Sequence, residues 1–364
     1  MNSILIEMRA LFRKERVYLF LLVFIVVFYL VVFLAHQMAK ESGQGDQNPP
    51  SKIERLLRDA PQNPEVIQKR LSERPGLFWL VQLFTLFFIC AFAWGVWLGS
   101  SGLRRWIFLK QELISASNRS LHISWGITEV VKVIILFFSG GILLNIILIF
   151  LKLGLGYRLD SSALMIVHTL LLDIAAVFFI VSTIQKSGAR AFDLGFNFEE
   201  VDWREIWLGI RTYLIILPFF IVILAALVYL ANRLAYEPPP HPLAEMLLQD
   251  ESLSPWMILV SLLVACVIGP IVEEIFFRGF FYPALRKYWG IGSTSVVTAA
   301  LFAGVHENIF SFFPIFFLGL VLCYLYEKRS SLISCISLHM VHNTTFIMYF
   351  FLMKSILLGG KGGP

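Results

Sequence analysis

The apolar runs of the C-terminal part carry a set of side chains able to hold charge or strong hydrogen bonds: Glu273, Glu274, Arg278, His306, Glu307, His339, His342 and Asn343. All sit in or beside apolar runs, where an ionisable group costs about 2.5–3.5 kcal/mol on insertion scales. Such residues face a partner or a water-filled cavity. On a helix Glu274 and Arg278 are four apart and can neutralise one another, either as a functional pair or as an ion-paired helix end at the membrane surface. Glu273 is turned about 100° away, which leaves it as the freer carboxylate in an apolar setting, suited to general-base work. His339 and Asn343 are also four apart, with His342 near the same face. Two imidazoles and a carboxylate are enough to bind and activate a water, with or without a metal, and an Asn amide can donate to a developing oxyanion.

These residues need elements to hold them. The chain has 364 residues, of which 58% are hydrophobic and 15% charged, with a mean hydropathy of +0.75. Soluble domains carry roughly 25% charged residues, so this composition excludes a water-soluble globule. Apolar runs recur at 17–36, 77–100, 133–151, 163–185, 212–232, 256–272, 293–306, 309–326 and 331–358. Most are about 20 residues, the length of a helix that crosses some 30 Å of hydrocarbon, and they do not alternate as barrel strands do. The fold class expected is an all-α polytopic transmembrane bundle of eight or nine spans, the short 293–306 run deciding between them.

Arg9, Arg13, Lys14 and Arg16 precede the first run, which is too long for a signal-peptide core and reads as a retained span. A cytoplasmic N-terminus then places Arg104, Arg105, Lys110, Lys186, Arg190, Arg286, Lys287, Lys328 and Arg329 inside, in line with the positive-inside rule. The 37–76 segment fits less well and has the pattern of a short amphipathic helix near 53–57. A Pro-rich loop at 237–255, with 238–240 all proline, divides residues 1–240, spans of unassigned role, from a catalytic transmembrane domain at 241–364. The 359–364 tail is expected to be disordered.

The formal charge of +5 comes from residues flanking spans and implies no nucleic-acid partner. Cys90, Cys266, Cys323 and Cys335 lie in apolar runs and read as small buried hydrophobes. His168 and Asp173 share the fourth span, as an interhelical hydrogen bond or, less commonly, a proton or ion path. Asn145 reads as interhelical glue.

Taken in order, Glu-Glu-x-x-x-Arg (273–278), Phe-x-x-x-His (302–306) and His-x-x-x-Asn (339–343) resemble the motifs of the CPBP intramembrane metalloproteases. This is the CAAX protease and bacteriocin-processing (Abi) family, which includes type II CAAX prenyl endopeptidases. The resemblance covers residues 256–350. It implies an intramembrane endopeptidase in which Glu273 activates water with His306 as partner. His339 and Asn343 would bind or polarise the scissile carbonyl or complete the water site, and Glu274 and Arg278 would support them. It leaves open whether Zn2+ is held by Glu273, His306 and His339 or whether the enzyme is glutamate-dependent with no metal. There is no His-Glu-x-x-His run. The partners implied are membrane lipids and a membrane-embedded or lipidated protein substrate, cut in the prenylated case after the modified Cys. Two other classes remain: a non-catalytic scaffold or immunity partner of the same fold, and an ion-coupled transporter, which commonly carries an internal repeat that is not evident here.

Counting 1.5 Å per residue places Glu273 roughly 25 Å from the outer start of its span, near the cytoplasmic side. By the same rise His339 lies roughly 12 Å in from that side and His306 roughly 20 Å, a mismatch in depth that tilt would have to absorb. Hydrolysis there requires a water-filled cavity, expected to open to the cytoplasm.

Overall fold

The computed structural model describes residues 2–41, 64–117, 123–154, 161–196, 203–236 and 254–358. The 53–57 helix, the prolines at 238–240 with most of the dividing loop, and the 359–364 tail lie outside the described residues. Regular structure among the described residues is helical throughout. Eight helices are long and apolar enough to cross a membrane, and the chain is an integral multi-pass membrane protein.

The helices are α1 (Asn2–Lys14), α2 (Arg16–Glu41), α3 (Pro64–Ser72), α4 (Pro75–Leu109), α5 (Ile127–Gly154), α6 (Ser161–Lys186), α7 (Trp203–Arg233), α8 (Pro255–Arg286), α9 (Ile291–Gly304), α10 (Ile309–Arg329) and α11 (Leu332–Leu358). Helix α1 is amphipathic and docks on the C-terminal region, where the Tyr288 hydroxyl donates to Glu7 at 2.7 Å. Burial, with the Glu7 carboxylate beside it, pushes the Tyr288 phenol up to about 12. Helix α2 buries none of its apolar stretch. Helices α4 and α11 both pack on α7, α5 on α6, and α9 on α10.

Helix α8 is where sequence and structure differ most. The 256–272 run continues through Glu273 and Glu274 to Arg286, with π-helical segments at Val264–Ile268 and Ile275–Phe281. Each widened turn shifts the backbone register. Gly269 N–H bonds the Val264 carbonyl five residues back, and Pro270 has no N–H to offer. The Ala265 carbonyl is thereby left for a side chain, which is how π-bulges commonly serve functional sites.

The 293–306 run is not a ninth span. Helix α9 holds 14 residues, about 21 Å of rise, too short to cross on its own. It turns back at 305–308 into α10, whose N-terminus is capped by the Asn308 side chain accepting from Phe310 N (3.0 Å) and Ser311 N (3.2 Å). His306 sits in that turn, at the tip of a helical hairpin. The two helices approach closely at Gly319, where an added Cβ would lie 2.9 Å from Ala299 Cα.

The depth mismatch is removed by these two differences. Near the Arg286 end of α8, Arg286 pairs with Glu327 at 2.9 Å, Tyr282 also donates to Glu327 at 2.7 Å, and Arg329 pairs with Glu205. Measured from that end, Glu273 lies about 20 Å along α8, His306 about 21 Å beyond the start of α9, and Asn343 about 17 Å along α11. The motifs meet at one level because α8 runs on well past its carboxylates.

Candidate active site

Glu274 and Arg278 are both fully buried, so they are not a surface pair. Arg278 Nη1 donates to Glu274 Oε1 at 2.9 Å, and Nη2 donates to the Gly319 carbonyl at 3.2 Å. The guanidinium lies over the Phe302 ring, 4.4 Å from its centroid. Arg278 therefore ties α8 to both arms of the α9–α10 hairpin. A buried guanidinium is tolerable only when its charge is matched in this way, here with Nε alone left without a partner.

The same Glu274 oxygen meets His339 Nδ1 at 2.8 Å. Having already accepted from Arg278, it accepts here too, which places the His339 hydrogen on Nδ1 and turns Nε2 outward. That nitrogen is 3.8 Å from Glu273 Oε2. This is beyond direct hydrogen-bond length but within reach of a shared small group. Glu273 differs from its neighbour in exposure, although the Oε2 of each is buried without a partner. Its side chain is 36% exposed.

His306 is oriented by its own helix. Its Nδ1 lies 2.8 Å from the Phe302 carbonyl. A carbonyl only accepts, so Nδ1 carries the hydrogen and Nε2 is left as a lone pair. The Phe302 ring packs at 5.3 Å from His306 and 5.6 Å from His339, edge to face in both cases. Phe302 thus positions three site residues at once, which explains why a phenylalanine stands four residues before that histidine.

Asn343 Nδ2 donates to the freed Ala265 carbonyl at 2.9 Å. One of its two amide hydrogens is used there, and the other remains available. His306, His339, His342 and Asn343 line a cavity of about 430 Å³ whose other walls are mainly apolar, among them Phe302, Leu318 and Phe346. Glu273 does not line this cavity.

Zinc requires a converging set of ligands. Among the described residues no group of three or more His, Cys, Asp and Glu side chains is arranged to hold a metal ion. His339, with Nδ1 held by Glu274, presents Nε2 to Glu273 as a ligating histidine would, but His306 stands in a separate turn and no third ligand converges with them. The expected set of Glu273, His306 and His339 does not fit a metal.

Two contributions lie outside the sequence motifs. Leu224 on α7 lines the cavity, so a helix upstream of position 255 helps build the site. Asp173, on α6, lies close enough to Glu273 for their charges to interact. Its Oδ2 and the Nε2 of His168 are buried without partners, so neither makes the interhelical hydrogen bond expected of them. A charged residue in the fourth span was the available signal, but nothing in the spacing linked it to Glu273.

Residues 255–345 match the family model described as type II CAAX prenyl endopeptidase Rce1-like. No curated protein and no solved structure is matched by the chain. The 255–345 segment is an Rce1-like domain.

Proposed function

We propose that this chain is an intramembrane endopeptidase that hydrolyses a peptide bond of a membrane-embedded or lipid-modified protein, the prenylated C-terminal type being the first to test. The observation that carries the reading is the contrast between two adjacent carboxylates. Glu274 is fully buried and has its Oε1 taken by Arg278 and His339, while Glu273 is partly open and 3.8 Å from the His339 nitrogen that Glu274 turns outward.

In this reading Glu273 takes a proton from water while the His306 Nε2 lone pair accepts from the same molecule and aims it. The water oxygen attacks the carbonyl carbon. The oxyanion is met by the free Asn343 N–H, while His339, held by Glu274, keeps its Nε2 lone pair facing Glu273 and the water. Glu273 returns the proton to the leaving nitrogen as the C–N bond breaks, so protons balance over the cycle. The apolar walls of the cavity suit a lipid chain or an apolar peptide flank. The lysines and arginines at the Arg286 end of the bundle support an opening toward the cytoplasm.

The test compares wild type, Glu273→Gln and His306→Ala at matched levels, reading new protein termini across the host membrane proteome. The expected result is a set of termini present with wild type and absent with both variants. Identical profiles for all three would overturn catalysis through these residues and leave the scaffold reading.

A further inference from the structure

Three histidines line the cavity, and two have their hydrogens assigned by the protein: His306 by the Phe302 carbonyl and His339 by Glu274. The third is different. His342 is 7% exposed, and its Nδ1 is buried without any hydrogen-bond partner. Its ring is clamped by aromatics, with centroids at 4.9 Å to Phe220, 5.8 Å to Tyr213 and 4.7 Å to Phe346. Two of those three rings lie on α7, outside the 255–345 match.

A buried polar group without a partner is costly, because it has given up its hydrogen bonds to water for nothing in return. Aromatic packing alone would favour Phe at this position, so the nitrogens need another explanation. Buried N–H groups without an acceptor are rarer in proteins than under-used lone pairs. The hydrogen therefore belongs on Nε2, the nitrogen left to the cavity, where it is a donor waiting for an acceptor. His342 is three residues beyond His339, about 4.5 Å along the helix axis. An extended peptide advances about 3.3 Å per residue. Asn343 follows about 1.5 Å further on but is turned about 100° from His342, so His342 meets the substrate to one side of the unit handled by His339 and Asn343, at the neighbouring peptide unit.

We propose that His342 is a specificity-determining residue, whose Nε2–H binds the backbone carbonyl of the substrate peptide unit adjacent to the scissile bond. The proposal rests on the endopeptidase reading above. It also explains what α7 contributes, since Tyr213 and Phe220 hold the ring at the angle from which it reads the substrate.

The experiment uses the full chain in lipid nanodiscs and a fluorogenic peptide with a farnesylated cysteine at the cleavage point. Companion probes replace the peptide unit on either side of the scissile one with an alkene isostere. His342→Phe keeps the ring and removes both nitrogens, while His342→Gln keeps a donor. With the all-amide probe, His342→Phe is expected to raise KM about tenfold, the size of one lost buried hydrogen bond, with kcat within about twofold, and His342→Gln to recover most of the loss. With one of the two isostere probes, wild type and His342→Phe should have the same KM. A wild-type KM in His342→Phe overturns the proposal, as does a loss confined to kcat or an equal rise in KM on every probe. Failure of the underlying reading looks different: wild type leaves the farnesylated probe uncut, or Glu273→Gln still cuts it.

Discussion

The interior cluster of Glu274, Arg278 and His339 and the ion pairs near the Arg286 end of α8 use the same chemical groups under opposite conditions. In the interior both charges are removed from water and paired with each other, and the guanidinium also meets a carbonyl and an aromatic face, although Arg278 Nε and Glu274 Oε2 have no partner. Arg286 and Glu327 pair at the same 2.9 Å, but their side chains retain 30% and 17% exposure. Distance alone does not distinguish the two. What differs is the cost of removing one partner: inside, the other is stranded in a low dielectric, and near the end water takes its place. The cluster specifies geometry, holding one imidazole at one angle, while the outer pairs mainly register helix ends.

Substitutions can break or sharpen that contrast. The largest effect belongs to the residue that the cluster serves without including. Glu273→Gln should lower cleavage of a membrane peptide probe by about 10²–10⁴-fold while leaving the thermal unfolding midpoint unchanged. A large stability loss would place Glu273 inside the structural network after all. Next comes Arg278→Met, expected to destabilise by about 3–5 kcal/mol because Glu274 is left buried and unpaired. Adding Glu274→Gln to it should restore part of that stability and none of the activity, and thermal scans in detergent would read both.

Gly319→Ala should follow at about 1–3 kcal/mol, because its Cβ would meet Ala299 at 2.9 Å and push apart the hairpin that presents His306. Activity should fall with it even at temperatures where the protein stays folded, a decline that parallel peptide cleavage and unfolding curves would show. Arg286→Met should cost about 1 kcal/mol or less. A loss as large as that of Arg278→Met would erase the distinction between the two regions.

Much of the architecture was legible in advance. Runs of apolar residues announce membrane helices, because a backbone in hydrocarbon has few other ways to satisfy its hydrogen bonds. The Glu274–Arg278 pair was visible from its spacing. The count stayed open between eight and nine because composition shows that 293–306 is apolar without showing that it stops short and turns back. The depth of Glu273 was misjudged for a related reason. A charged pair after an apolar run looks like a helix end, and only packing against α10 and α11 shows those charges matched and the helix continuing. The contribution of α7, with Leu224 in the cavity wall and Tyr213 and Phe220 around His342, left no trace in the motifs, since packing partners carry no spacing rule across separate helices.

The sequence by itself determined the solvent in which this protein folds, nearly all of its spans and the residue types available for chemistry. Periodicity and hydropathy are local properties, written into each segment. Only the tertiary structure decided which of two neighbouring carboxylates is spent on structure and which is left open. It also decided which nitrogen of each oriented histidine carries the hydrogen, and it brought Asp173 near Glu273 from another helix. Those outcomes depend on contacts between helices far apart in the chain, and burial, hydrogen-bond partnership and charge pairing exist only once the helices have met.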